Sequence, residues 1–152
     1  MSEYIYLAGN KPFIAGLIGD NPRMETNDLR VYDNFSDMES FYFELNYNMD
    51  DKETFSFSPY FSLNQYQISS IDLNLPTEEE TTLNFSQQKA VQELFKFIKQ
   101  YFEKYDASKL EILFCLNGDE GTPLKKQLNI QISDLRPKDL FYSNSKFLQI
   151  TK

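Results

Sequence analysis

The chain has no histidine, no tryptophan and a single cysteine, Cys115, among its 152 residues. Each absence removes a class of chemistry. Without histidine there is no Ser-His-Asp triad, no cysteine–histidine pair and no imidazole ligand for a metal. One cysteine makes neither an internal disulfide nor a zinc finger. Cys115 sits inside an apolar run and has no imidazole base to ionise it, so it reads as a buried core residue rather than a nucleophile. Glycine is scarce too, with five residues, three of them at Gly9, Gly16 and Gly19. Their spacing matches neither G-x-G-x-x-G nor G-x-x-x-x-G-K-[ST], the patterns that converge backbone N–H groups on a phosphate, so turns are the plainer reading. The longest uncharged stretch near the start, residues 12–19, is too short to cross a bilayer. The first ten residues lack the basic and long apolar regions of a secretory signal. The expectation is a reduced, cytoplasmic protein that uses no cofactor and no metal and does not act on membranes.

What the chain has is acid, and the acid is unevenly placed. Its 23 acidic and 15 basic residues give a net charge of -8. Residues 1–80 hold fifteen acids and four bases, a net of -11, whereas residues 81–152 hold eight acids and eleven bases, a net of +3. Direct nucleic-acid binding needs a basic footprint to displace counterions, and this balance opposes it. An anionic membrane surface is disfavoured for the same reason. A basic protein partner is favoured, with solubility as the plainer use of such a surface.

Length and patterning point to one domain over residues 1–152, of class α+β: an antiparallel β-sheet meander with one long amphipathic helix packed on it. Residues 13–17 and 29–32 are expected as short strands around a turn-rich loop, 19–28. From residue 39, Phe41, Phe43, Leu45 and Tyr47 alternate with Tyr42, Glu44 and Asn46, which is the period of a half-buried strand. Residues 54–57 begin a return strand that Pro59 interrupts, and a third strand covers 65–75. The helix spans 86–105. Asn84 or Ser86 can cap it, and Gln87 stands three residues after Asn84 as a capping box requires. Val91, Leu94, Phe95, Ile98, Phe102 and Tyr105 form its stripe, Phe97 and Tyr101 widen it, and Lys89, Glu93 and Lys96 belong to the polar face. Residues 110–116 are apolar on both faces and so predict a central strand. Residues 126–133 are expected to pair back on it, 136–140 to form a turn or one helical turn, and 147–150 to form a short last strand.

With histidine absent, acid–base chemistry would fall to carboxylates. Glu44 and Asp72 could face one another across strands, but each lies on the polar side of its strand, where a solvated carboxylate is the default. The oxygen-rich runs 33–37 and 117–121 lack the ligand alternation and the later bidentate glutamate of a calcium loop. Neither reading describes an enzyme, and none is expected.

Three acidic clusters remain: Asp33, Asp37 and Glu39; Asp50, Asp51 and Glu53; and Glu78, Glu79 and Glu80. The first two flank the aromatic strand, and the third follows the third strand. With Tyr42 and Tyr47 they would form a polar surface with aromatic anchors, in which aromatics carry binding energy and charges set on-rate and specificity. The plainer reading is a solvated edge that discourages strand-to-strand aggregation. The basic residues Lys125, Lys126, Arg136, Lys138 and Lys146 are read as balancing the acidic half of the same molecule.

In size, acidity and composition, over the whole chain, the protein resembles the immunity proteins that bacteria pair with toxins in bacterial competition. The resemblance rests on no residue motif and carries over no functional positions. It implies a non-catalytic protein that neutralises a basic partner, blocking a cognate nuclease-type toxin domain. The alternative of another binding class is an anti-defence inhibitor, or nucleic-acid mimic, from a phage or mobile element. A carboxylate-dependent enzyme is the third reading. The aromatic strand would equally serve a homodimer.

Overall fold

The computed structural model describes residues 3–11, 16–18, 24–25, 30–31, 41–44, 58–70, 75–104, 106–116 and 118–152. In chain order its elements are β1 (Glu3–Gly9), β2 (Gly16–Ile18), β3 (Met24–Glu25), β4 (Arg30–Val31), β5 (Phe41–Glu44), β6 (Asn64–Ser70), α1 (Phe85–Lys104), β7 (Lys109–Leu116), β8 (Lys126–Gln131) and β9 (Lys146–Thr151). Two 3-10 turns, Ile132–Asp134 and Pro137–Leu140, lie between β8 and β9. Seven strands form one sheet in the order β2-β5-β6-β1-β7-β9-β8, and β3 and β4 pair separately.

The α+β class and the helix laid on the sheet are as the pattern predicts. The helix begins where its cap says it should. The Gln87 backbone N–H donates to Asn84 Oδ1 at 2.8 Å, and the Asn84 N–H donates to Gln87 Oε1 at 3.0 Å, the reciprocal pair that satisfies two otherwise orphaned donors. Ala90, Val91, Leu94, Phe97, Ile98, Tyr101 and Phe102 are buried, packed on Ile5 and Leu7 of β1, Leu110, Ile112 and Phe114 of β7, and Leu148 and Ile150 of β9. Phe95 is only partly buried, and Tyr105 lies outside the described residues. Glu93 departs from its expected place on the polar face, being 8% exposed. It stands one turn before Phe97 and two before Tyr101, on the arc that those rings turn inward.

β7 is central because both of its faces are covered. Its helix-facing residues join the main core. On the other face Leu113 and Cys115 pack with Tyr6 and Phe147, against partly buried Tyr4, Tyr60, Phe61 and Leu124. The segment 58–63 is held on that second face by polar contacts. The Ser62 N–H donates to Glu111 Oε1 at 3.1 Å, and Ser58 Oγ donates to the Glu120 carbonyl at 2.6 Å. Glu111, the one charge inside β7, is 3% exposed, and its oxygens accept from Ser62 as a buried carboxylate must.

The sheet is not the simple meander expected. Residues 126–133 do not pair back on β7. The last strand, β9, takes that place, antiparallel to β7, and β8 lies outside it, parallel to β9. The reason is burial. β9 offers Phe147, Leu148 and Ile150, all buried, whereas β8 exposes Lys126, Gln127, Asn129 and Gln131. The more apolar strand occupies the interior position and the more polar one the edge. A parallel neighbour needs a crossover, and the stretch from Ile132 to Ser145 supplies it.

At the other side of the sheet, β5 pairs with β2 and β6, and β6 pairs with β1. β2 overlaps the strand expected at 13–17, and β4 falls within 29–32. β3 lies inside the segment expected as a loop. The return strand expected at 54–57, and residues 71–74 of the third strand, lie outside the described residues.

β1 ends at Gly9 because the Tyr101 ring leaves room for nothing larger. A Cβ there would stand 2.1 Å from Tyr101 Oη and 2.8 Å from its ring carbon. The same hydroxyl accepts the Lys11 N–H at 2.9 Å and donates to the Lys11 carbonyl, and Asn10 Oδ1 accepts the N–H groups of Ser108 and Lys109. Gly9-Asn-Lys11 is thus a latch between β1 and the end of α1. Gly9→Ala should lower unfolding stability by about 1–3 kcal/mol, the usual cost of overpacking. Urea denaturation reads this directly, and an unchanged midpoint would show that the tyrosine moves aside freely.

Candidate functional site

Of the acidic residues singled out in the sequence, Glu78, Glu79 and Glu80 are described. Asp33, Asp37, Glu39, Tyr47, Asp50, Asp51 and Glu53 lie outside the described residues. Tyr42 is on β5, in register with Leu17 of β2 and Ser69 of β6.

The Glu78–Glu80 cluster forms a pinned turn just before the helix. Thr77 makes a parallel bridge to Tyr142. The Glu78 N–H donates to the Tyr142 carbonyl at 3.2 Å, and the Tyr142 N–H donates to the Pro76 carbonyl at 2.7 Å. The carboxylate of Glu80 then folds back, accepting the Thr77 N–H at 2.8 Å and the Gln87 side-chain amide at 3.0 Å. Those contacts hold its pKa below the usual carboxylate range, the Gln87 bond being the largest cause.

Glu78 turns the other way, to a buried lysine. Lys146, on β9, is fully buried. Its Nζ donates to Glu78 Oε1 at 3.1 Å, to the Asp139 carbonyl at 3.0 Å and to the Phe141 carbonyl, and stands 4.7 Å from the centre of the Phe114 ring. An ammonium has three N–H bonds, and here each has an acceptor. Lys126, opposite Lys146 in the β8–β9 register, donates to the same Glu78 oxygen at 2.9 Å. Burial pulls the Lys146 pKa down, against the pull of Glu78 upward. For Glu78, burial acts to raise the pKa, but the bonds from Lys126 and Lys146 outweigh it and hold the carboxyl below its ordinary value. Two of the five basic residues read as balancing charges therefore meet an acid of the first half, one of them in the interior rather than on the surface.

Beside this centre, Glu78, Lys126, Leu128, Arg136, Lys138 and Asp139 line a cleft of about 330 Å³. Asp139 accepts the Arg136 N–H at 2.8 Å and pairs with its guanidinium at 3.5 Å. A neighbouring apolar groove of about 370 Å³, along the first turns of α1, shares Arg136 and Lys138.

Two other carboxylates lie in this part of the molecule. Glu79 is exposed and accepts no hydrogen bond among the described residues. Glu3, at the start of β1, has its pKa raised by burial and then by the charge of Glu80. The sequence reading passed over Glu3, because no local pattern tells that residue 3 will lie beside residue 80. The result is an acidic corner in which the charge of Glu80 bears on Glu3.

On the opposite face Tyr6 Oη donates to Glu120 Oε1 at 2.7 Å, and Glu120 Oε2 accepts the Gly118 N–H at 3.1 Å. These bonds tie down the turn after β7. Cys115 is buried beneath, its thiol pushed up to about 12 by burial and by Glu120 and Asp119. A thiol so placed is not a nucleophile at neutral pH. Among the described residues no group of three acidic, cysteine or histidine side chains could hold a metal ion, and no helix is long and apolar enough to cross a membrane.

No family model matches the chain, and no curated protein or solved structure is found similar to it.

Two outcomes follow from this geometry. Glu78→Gln leaves a buried ammonium without its counter-charge and should cost about 3 kcal/mol at neutral pH, as broken buried pairs do. Because the folded-state pKa of Glu78 lies below its ordinary 4.5, its stabilisation is complete above that value and is lost as pH falls through the folded pKa. The wild-type acid limb of stability should therefore be steeper than that of the Gln variant; equal slopes in pH-dependent urea melts would refute the pairing. Separately, Cys115 should resist iodoacetamide at neutral pH in the native protein and react once the chain is denatured. Native labelling at the rate of a small thiol would contradict its burial.

Proposed function

We propose that this protein is a non-catalytic binding protein that neutralises a basic partner, acting as an immunity protein that blocks a cognate nuclease-type toxin domain in the bacterial cytoplasm. The observation that carries this reading is the uneven charge. Residues 1–80 hold fifteen acids and four bases, and of their acids Glu78 is the one whose carboxylate is matched by lysines of the second half among the described residues. The corner of Glu3, Glu79 and Glu80 supports the same reading. The charge of Glu80 adds to burial in raising the proton affinity of Glu3, and an approaching cation would offset that repulsion, so a lysine- or arginine-rich surface gains energy there. A nuclease site is positively charged to hold phosphates, which makes it a complementary target, and complementary fields speed capture.

In this reading Asp33, Asp37, Glu39, Tyr42, Tyr47, Asp50, Asp51, Glu53, Glu78, Glu79 and Glu80 contribute to the partner surface, with Glu78 acting through its tie to Lys126 and Lys146 rather than by direct contact. The protein performs no reaction. It binds one to one and prevents the partner from engaging its own substrate.

The test is co-expression with the product of the adjacent gene. That product should be toxic alone and harmless when this protein is present, and the two should purify together. A neighbour that is harmless alone, or that stays toxic on co-expression, ends the immunity reading. Reversing Asp50, Asp51 and Glu53 together to lysine should slow association by about tenfold or more and flatten its dependence on salt. Unchanged association kinetics would remove that cluster from the interface.

A further inference from the structure

We infer that β8 is a self-association edge, through which two copies of this chain pair antiparallel about Asn129 to make one continuous sheet. This inference is independent of the toxin reading and uses a different surface.

β8 ends the sheet, with β9 as its one strand neighbour among the described residues. A strand so placed presents a row of backbone N–H and C=O groups away from its neighbour, ready to pair with another chain. Edge strands are usually blunted by proline, a bulge or charge. From Gln127 to Ser133 this one has no proline and no charged residue. Its single lysine, Lys126, stands at the very start and is held in its bridge to Glu78.

The occupant follows from the order of side chains. Leu128 and Ile130 are partly buried and pack toward the helix-side core, whereas Gln127, Asn129 and Gln131 are exposed. Pairing two β8 strands about residue 129 sets Asn129 against Asn129 of the partner subunit, Leu128 against Ile130 of the partner subunit, and Gln127 against Gln131 of the partner subunit. Every apposition is like with like, each pair on one face of the joined sheet, and the partly buried Leu128 and Ile130 lose more of their contact with water. Centring the pair on residue 128 instead would set Lys126 against Ile130 of the partner subunit, a charge against an apolar side chain. Odd registers would put Leu128 opposite Asn129 and send the two apolar rows to opposite faces. The 3-10 turn Ile132–Asp134 closes the strand, so the paired stretch is the five residues symmetric about Asn129. A second copy of this chain meets all of these conditions, with no charged residue in the five paired positions.

The experiment places one charge on the proposed axis. The wild-type chain should sediment as a dimer at about 100 µM and dissociate on dilution, as an interface of micromolar strength does. Asn129→Lys and Asn129→Asp each put like charges directly opposite and should weaken the dimer by about tenfold or more, with unchanged circular dichroism, because Asn129 is exposed and makes no side-chain hydrogen bond among the described residues. Mixing the Lys and Asp variants should restore a heterodimer. A wild-type chain that stays monomeric at that concentration, or a Lys variant as dimeric as the wild type, overturns the inference. Failure of the mixture to pair overturns the register about residue 129.

Discussion

The ammonium of Lys146 is the contact on which the C-terminal half is assembled. Its three donors reach the turn that precedes the helix, through Glu78, and the crossover that precedes β9, through the carbonyls of Asp139 and Phe141. A buried charge tolerates no loss of partners, since an uncompensated ion in the interior costs several kcal/mol. The crossover and the pre-helix turn are therefore locked to the same strand. That lock lets β9 sit between β7 and β8. The strand most able to exclude water takes the inner position, and its one polar residue on the helix side is met by acceptors already arranged for it.

The pairing also changes how the charge of the molecule is read. Lys126 and Lys146 share the single charge of Glu78, and Arg136 is engaged by Asp139, so these three cations of the basic second half are drawn into local pairs. Among the described acids of residues 1–80, Glu78 is matched by lysines, whereas Glu3 feels the charge of Glu80 in addition to its own burial. Under the proposed reading, a basic partner would relieve the repulsion that Glu80 exerts on Glu3.

Legibility in the sequence followed the range of the interaction. The helix was legible almost to the residue, because Asn84 and Gln87 lie three apart and the stripe from Val91 to Phe102 repeats at local spacing. The central place of β7 was legible because residues that are apolar on both faces need two covers, and the structure supplies the helix on one side and the Tyr60–Phe61 segment on the other. The neighbours of β8 were not legible. Two strands joined by a short turn look like a hairpin in sequence, and the competition that β9 wins is settled only when all three are weighed for burial. Lys146 was misread for the same reason. A lysine in a polar-looking stretch is a surface residue by default, and nothing near position 146 reveals that residues 78, 139 and 141 converge on it. Much of the proposed partner surface lies in the segments 32–40 and 45–57, for which the acidic pattern itself is the argument.

The two proposed surfaces differ in kind, and the difference follows from net charge. Two copies of a chain carrying -8 repel one another, so self-association has to use a surface where backbone pairing and apolar contact dominate and no charge lies across the axis. The stretch from Gln127 to Gln131 meets that condition, and the acidic corner does not. A basic partner has the opposite requirement. Salt separates the two: screening weakens attraction between the acidic surface and a cationic partner, whereas it relieves the repulsion between two copies of this chain. One ionic-strength series thus moves the two equilibria in opposite directions, because the neutral edge and the charged corner draw on different forces within one fold.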